Sequence, residues 1–293
     1  MLVATVVAVS AGCSPHSGKR KGAAGRHASS RTAQAHPKPN GTSPTTAVPA
    51  PAPKTAVQFV VRARQALSAE KGWTFALRGS ESAVMQGQAP NTATYAATVH
   101  RTTAPAALQQ TGTITTGKGE RKAEVVYVVG GVGYVKEGDA GWKKGPVSQA
   151  DIANDVEDPV AELDAFAGYS KSAKVTRPGA GGGSVRLEVT ASGWQLPAAR
   201  SRPALQRAVR EVEPTLAQLR RAGVTATDGQ ITLQSSTETW DLDARHGYRP
   251  TAHRYAFTFL VPFRGGDITI SQEVRADNRG VFSGSVALPA GAQ

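Results

Sequence analysis

Few side chains in this 293-residue chain are equipped for chemistry. There is one cysteine, Cys13, so an intramolecular disulfide is excluded, as is a cysteine-based zinc site with its several sulfur ligands. His16, His27 and His36 are spaced for no metal site. His246 and His253 flank Gly247 and Pro250, a turn signature, and His100 lies far upstream at the end of a predicted strand. A nucleophilic relay would need one of these beside an activated serine, and no G-x-S-x-G marks such a serine. The histidines are therefore expected at the surface, and the chain is expected not to be an enzyme. Asp151, Asp155, Glu157, Asp158, Glu162 and Asp164 lack the alternating oxygen ligands and glycine of a calcium loop. A helix N-terminus, whose dipole favours negative charge, accounts for them. The GAGGGS run, Gly179 to Ser184, precedes no Lys-Ser or Lys-Thr and opens no helix, so it reads as a hairpin connection and not a phosphate loop. Trp73, Trp142, Trp194 and Trp240 are expected to pack in the core or at interfaces. No cofactor and no metal are expected.

Cys13 has a different chemistry available to it. Leu2 to Val9, LVATVVAV, is apolar but shorter than the roughly 20 residues that span a bilayer. It matches the core of a signal peptide over residues 1–12. Ser10, Ala11 and Gly12 then lead into Cys13 and Ser14, which resembles a bacterial lipobox with serine where leucine is usual. A thiol is nucleophilic enough to take a diacylglycerol, and each buried CH₂ of the acyl chains adds about 0.8 kcal/mol of membrane affinity. Lipidation of Cys13 is expected, with the protein held on the outer, extracytoplasmic face of the cell membrane.

Residues 13–56 read as a spacer. The segment is rich in Pro, Ser, Thr, Ala and Gly, has no periodic apolar pattern, and cannot bury enough surface to offset chain entropy. Its cations are Lys19, Arg20, Lys21, Arg26, Arg31, Lys38 and Lys54, with no Asp or Glu. These account for most of the formal net charge of +12, so the charge does not argue for a nucleic-acid partner. The run is either a tether drawn to anionic lipid, at about 1 kcal/mol per charge, or a solubilising linker.

The remaining residues, 57–293, must position any site. Val57, Val60, Val61 and Leu67 predict a helix over 55–70, stopping near Gly72. Strands are predicted at 73–79, 92–100, 108–116 and 123–136, the last a hairpin turning at Gly130-Gly131. Asp158-Pro159 opens a helix with Leu163 and Phe166 on one face, ending at Gly168. Strands follow at 171–177 and 185–191. Leu205, Val209, Val212, Leu216 and Leu219 make one apolar stripe over 203–222. Arg207, Arg210, Glu211, Gln218 and Arg220 take its polar side, and Pro214 is expected to kink or split the helix. The closing strands are predicted at 230–235, 237–243, 252–262, 266–276 and 280–288. Strands in meander order interrupted by three helices give an α+β class: a strongly curved, mostly antiparallel sheet, a half-barrel, with helices on its concave face.

A lipobox, a polar spacer, an opening helix and this strand order resemble the LolA-like lipoproteins, in particular the LppX/LprG lipid-carrier type of actinobacteria. The residues that carry the resemblance are Tyr134, Val135, Lys136 and Trp142 in VVYVVGGVGYVKEGDAGWKKG, the helix DPVAELDAF, and the closing VALP, Val286 to Pro289. The resemblance implies a non-enzymatic carrier or presenter whose half-barrel holds acyl chains. If a cavity exists, Leu205, Val209, Val212, Leu216 and Leu219 form one wall and Leu163 and Phe166 another. The expected partners are the membrane, a lipid or acyl-chain ligand, and an envelope protein. The alternative is a structural or signalling envelope lipoprotein with a packed core that binds a protein or the cell wall.

Overall fold

The computed structural model describes residues 51–177 and 183–292. Cys13, the apolar run before it, most of the spacer and most of the glycine loop lie outside the described residues. The compact unit that contains the sheet takes in the chain from Pro53 onward.

Helix α1 (Ala56–Ser68) opens with a capping box: the Thr55 side chain accepts from the Gln58 amide while Gln58 Oε1 accepts from the Thr55 amide. It buries Phe59, Val60, Ala63 and Leu67. The Trp73 indole nitrogen donates to the Leu67 carbonyl at 2.8 Å, tying the helix end to the first strand.

A meander follows: β1 (Gly72–Met85), β2 (Asn91–Thr103), β3 (Ala106–Thr116), β4 (Arg121–Val129), β5 (Val132–Glu137) and the short β6 (Lys143–Pro146). Gly130 and Gly131 take positive φ of 60° and 78°, which lets two residues turn β4 into β5. Next come α2 (Ala150–Ala153), α3 (Pro159–Ala167), β7 (Lys174–Thr176), β8 (Ser184–Ala191), β9 (Trp194–Gln195), α4 (Leu196–Arg200) and α5 (Gln206–Arg221). Three long strands close the fold: β10 (Thr232–Asp243), β11 (Arg249–Phe263) and β12 (Gly266–Val281).

Every strand pair is antiparallel, in the order β6-β5-β4-β3-β2-β1-β12-β11-β10-β8-β7, with β9 also on β10. The first and last long strands thus meet in the middle, Leu77 opposite Ala276. The sheet is open, with β6 and β7 as its edges. This is the expected α+β half-barrel, its helices laid on the concave face.

Several predicted elements need correction. Pro214 does not split α5. Proline lacks the N–H that would bond the Arg210 carbonyl, and the buried Asn154 substitutes, its Nδ2 donating to that carbonyl at 3.4 Å. Strands 230–235 and 237–243 are one strand, β10, with a register shift between Leu233 and Ser235. The segment 171–177 opens instead as a 3-10 turn, Ser170–Ser172, where serine hydroxyls bond the carbonyls of Ala167 and Tyr169. The strand expected at 280–288 does not form. β12 runs on to Val281, and both β1 and β12 are already paired on both sides, so no sheet edge remains there. Residues 282–292 instead cross the convex face: Phe282 stacks on His100, and Val286 and Leu288 pack with Tyr127, Tyr134 and Trp142.

Candidate functional site

The concave face carries two apolar clusters. The first joins α1 and α3 to Trp73, Leu77, Val99, Leu187 and Trp240. The second joins α4 and α5 to Leu233, Tyr255, Phe257, Phe259, Val261 and Ile270. Leu163 and Phe166 lie in the first; Leu205, Val209, Val212 and Leu216 lie in the second, with Leu219 half-buried at its margin. The seven candidate cavity residues are therefore divided between two groups.

A seam of buried polar residues runs along the same face. Strand alternation turns Glu124, Gln110, Tyr95, Gln272, Glu238 and His253 inward from neighbouring strands. At one end, the Tyr95 hydroxyl donates to Glu124 Oε1 at 2.6 Å. Gln110 donates to Tyr95 Oη and to the Asp155 carbonyl and accepts from the Glu157 amide. In the middle stands Arg207 of α5, its guanidinium 4.6 Å from the Tyr255 ring centroid. Its Nη2 lies 3.0 Å from both Glu157 oxygens, its Nε 2.8 Å from Glu211 Oε1, and its Nη1 3.4 Å from Glu162 Oε1. Gln272 Nε2 donates to the other Glu211 oxygen at 3.0 Å. At the far end, Glu238 accepts from Tyr169 Oη at 2.5 Å, from the Trp240 indole at 3.1 Å and from His253 Nε2 at 3.0 Å.

The Arg207 guanidinium stands among three carboxylates, with Arg210 reaching Glu211 from 3.6 Å, and the ionisation equilibria respond. Burial, with Glu157 and Glu162 nearby, pushes Glu211 up to about 7 against the pull of Arg207. Burial also works upward on Glu157, but the Arg207 pair outweighs it and holds that carboxyl below the usual range. Glu238 likewise ends below its ordinary value, burial being offset by the His253 and Tyr169 hydrogen bonds. Glu124 and Asp155 are raised by burial.

Three expectations change here. Arg207 and Glu211 are buried rather than on a solvated side of the helix, because α5 sits low enough to bring positions 207 and 211 inside together with Ala208 and Val212. Their i,i+4 pairing was the legible signal. His253 is buried rather than at the surface, stacked on Trp240 at 4.0 Å. It begins the inward alternation that continues through Tyr255, Phe257, Phe259 and Val261. Asp155, Glu157, Asp158, Glu162 and Asp164 each have a cationic partner instead of serving only the helix dipole. Asp158 caps α3 and also pairs with Arg101, Asp155 takes Lys143, and Asp164 takes Arg64. His246 is exposed beside Asp243, as its turn position predicted.

Glu124, Glu137 and Asp155 bring carboxylate oxygens within 4.8 Å of one another. Lys143 at 2.9 Å from Asp155, Lys122 on Glu137 and the Tyr95 hydroxyl on Glu124 already meet these oxygens. A cleft of about 420 Å³ lies between α1 and α3, lined by Val61, Leu67, Val160 and Leu163 together with Arg64, Arg101 and Asp164.

No family model matches the chain, and no curated protein does. Among solved structures it is similar to a LolA superfamily protein from Nitrosomonas europaea, at TM-score 0.25 and 7% identity over 78% of this chain and 96% of that one. A beta-barrel-like protein from Brucella abortus aligns at TM-score 0.21 and 8% identity, over 71% and 96% of the two chains. A protein from Mycobacterium tuberculosis aligns at TM-score 0.21 and 10% identity, over 74% and 98%. Nothing about ligand or activity passes from these proteins to this one.

Proposed function

We propose that this chain is an extracytoplasmic lipoprotein, anchored through Cys13, that shelters an apolar ligand in its half-barrel without doing chemistry on it. The ligand class is lipid or lipoprotein acyl chains, in the manner of LolA-like carriers of the LppX/LprG type. The observation that carries this reading is the second apolar cluster and its roof. The inward rows of β10, β11 and β12 form an apolar trough, covered by α4 and α5. The N-terminal half of α5 is held by the Arg207 and Glu211 contacts. Beyond Glu211, the side-chain bonds of α5 go to its neighbours and not to the sheet: Glu213 accepts from Arg200 of α4, and Arg220 donates to Asp228. Its C-terminal half rests on the trough through Val212, Leu216 and Leu219. Lifting that half would exchange helix contacts for acyl-chain contacts, at about 25 cal/mol per Å² of apolar area reburied.

The test uses the full chain with Cys13→Ser, purified without detergent and examined by native mass spectrometry with lipid extraction. Stoichiometric co-purified lipid is expected. A bare protein that also fails to take up a fluorescent fatty acid would overturn the reading and favour an envelope module that binds a protein or the cell wall.

A further inference from the structure

The outer side of α1 is unlike its inner side. Val57 and Val61, one turn apart, are 37% and 47% exposed. Val61 forms part of the mouth of the α1–α3 cleft. The helix contains no acidic residue and carries Arg62 and Arg64. Lys54 precedes it and Lys71 follows it. Lys171 stands on the 3-10 turn that packs against α1, and Arg177 places its guanidinium 5.7 Å from the Phe59 ring centroid. Of these six cations, Arg64 alone has an acidic partner among the described residues, Asp164 at 2.6 Å in a half-exposed pair. Glu70 adds one further acid beside the helix.

We propose that this side of α1, with Val57, Val61 and the mouth of the α1–α3 cleft, is a docking surface for an anionic lipid bilayer. Charge complementarity carries the assignment: an exposed apolar pair lies on an acid-free helix that carries Arg62 and Arg64, with Lys171 and Arg177 on segments that touch it, a composition that lets an interfacial helix seat its apolar side among acyl chains while its cations meet headgroups. The segment that precedes this helix in the sequence, from Ser14 to Lys54, contains no Asp or Glu, so its charge has the same sign as that of α1. The proposal rests on the reading of an envelope lipoprotein but not on the trough, since a protein with an empty trough would dock equally well.

Cys13 being the sole cysteine, Cys13→Ser gives a background for single labels. An environment-sensitive fluorophore is placed at Val57→Cys, and in a second sample at Thr111→Cys on β3. Both are mixed with phosphatidylcholine vesicles, with and without phosphatidylglycerol. A blue shift is expected at position 57 with phosphatidylglycerol only, and none at position 111. The shift should weaken as salt is raised, because the headgroup attraction is screened. Exposed-site variants Lys171→Glu and Arg177→Glu together should weaken vesicle partition by about tenfold. Protein that sediments with vesicles while the label at 57 stays in water would assign binding to the spacer alone and overturn the proposal. Absence of sedimentation would also overturn it and leave this surface to another occupant. Neither result depends on whether lipid co-purifies in the trough.

Discussion

Arg207 Nη2 stands 3.0 Å from both carboxylate oxygens of Glu157, a contact that spans fifty residues of sequence and pins α5 to the segment ahead of α3. The same guanidinium serves Glu211 one turn along its own helix. Removing the cation alone would strand two buried carboxylates. Arg207→Met is therefore expected to cost about 3–5 kcal/mol in urea unfolding. Replacing the trio together, Arg207→Met with Glu157→Leu and Glu211→Leu, should recover most of that loss. A single variant that loses little would show that water reaches the seam.

The raised Glu211 gives the seam a pH dependence with a definite sign. Its folded value, about 7, lies above its ordinary 4.5, so the folded state holds a proton that the unfolded state has released. Its contribution is fully present below pH 4.5 and is lost as pH rises through about 7. The lowered Glu157 and Glu238 act oppositely, their contributions present above the ordinary carboxylate range and lost on acidification. Glu211→Gln should therefore flatten the decline in urea midpoint between those two pH values while leaving the acid limb in place. An unchanged slope would assign the decline to Glu124 and Asp155, the other carboxyls raised by burial.

Asn154 and Pro214 form a testable pair. Asn154→Ala removes the donor to the Arg210 carbonyl and the acceptor of Arg210 Nε, with an expected cost of about 1–3 kcal/mol for the stranded buried groups. Pro214→Ala supplies a helical N–H to the same carbonyl. In that background Asn154→Ala should cost less, by a coupling of about 1 kcal/mol in a double-mutant cycle. Additive losses would mean that the Asn154 contact at 3.4 Å contributes nothing.

The segment 282–292 is held chiefly by side chains. Its backbone meets the folded unit at Phe282, whose amide donates to the Gly72 carbonyl, and the remainder rests on Tyr127, Tyr134 and Trp142. Leu288→Asp should release it, speeding amide exchange across 284–292 and lowering stability by about 1–2 kcal/mol. Exchange that stays slow would mean that the outer aromatic cluster is not what retains the segment.

Much of the scaffold was legible because it obeys local rules. Asp158 with Pro159 and Gly130-Gly131 each set a boundary with short-range chemistry, and the elements formed there, while the spacing of Val57, Val60, Val61 and Leu67 marked the first helix. The period-2 pattern from Tyr255 to Val261 and the stripe from Leu205 to Leu219 marked a strand and a helix whose apolar faces meet in the second cluster. The polar seam was opaque for the opposite reason. Arg207, Glu211 and His253 look solvent-bound in isolation, and their burial is compensated only by Glu157, Gln272 and Glu238, residues distant in sequence. The fate of 280–288 was likewise a property of the sheet: its composition allows a strand, but the strand order leaves no edge for it.

The pairing of β1 with β12 has a consequence for assembly. β1 through β6 can zip up as neighbours in sequence, and so can β10 through β12, but the junction between these halves closes only when the ends of the sheet-forming chain meet. Loop closure of that length is slow, and until it happens β1 presents a long unpaired ladder. A chain emerging N-terminus first would carry that open ladder until its final strand arrived. The molecule is therefore most exposed to mispairing with other chains just before that last strand is in place.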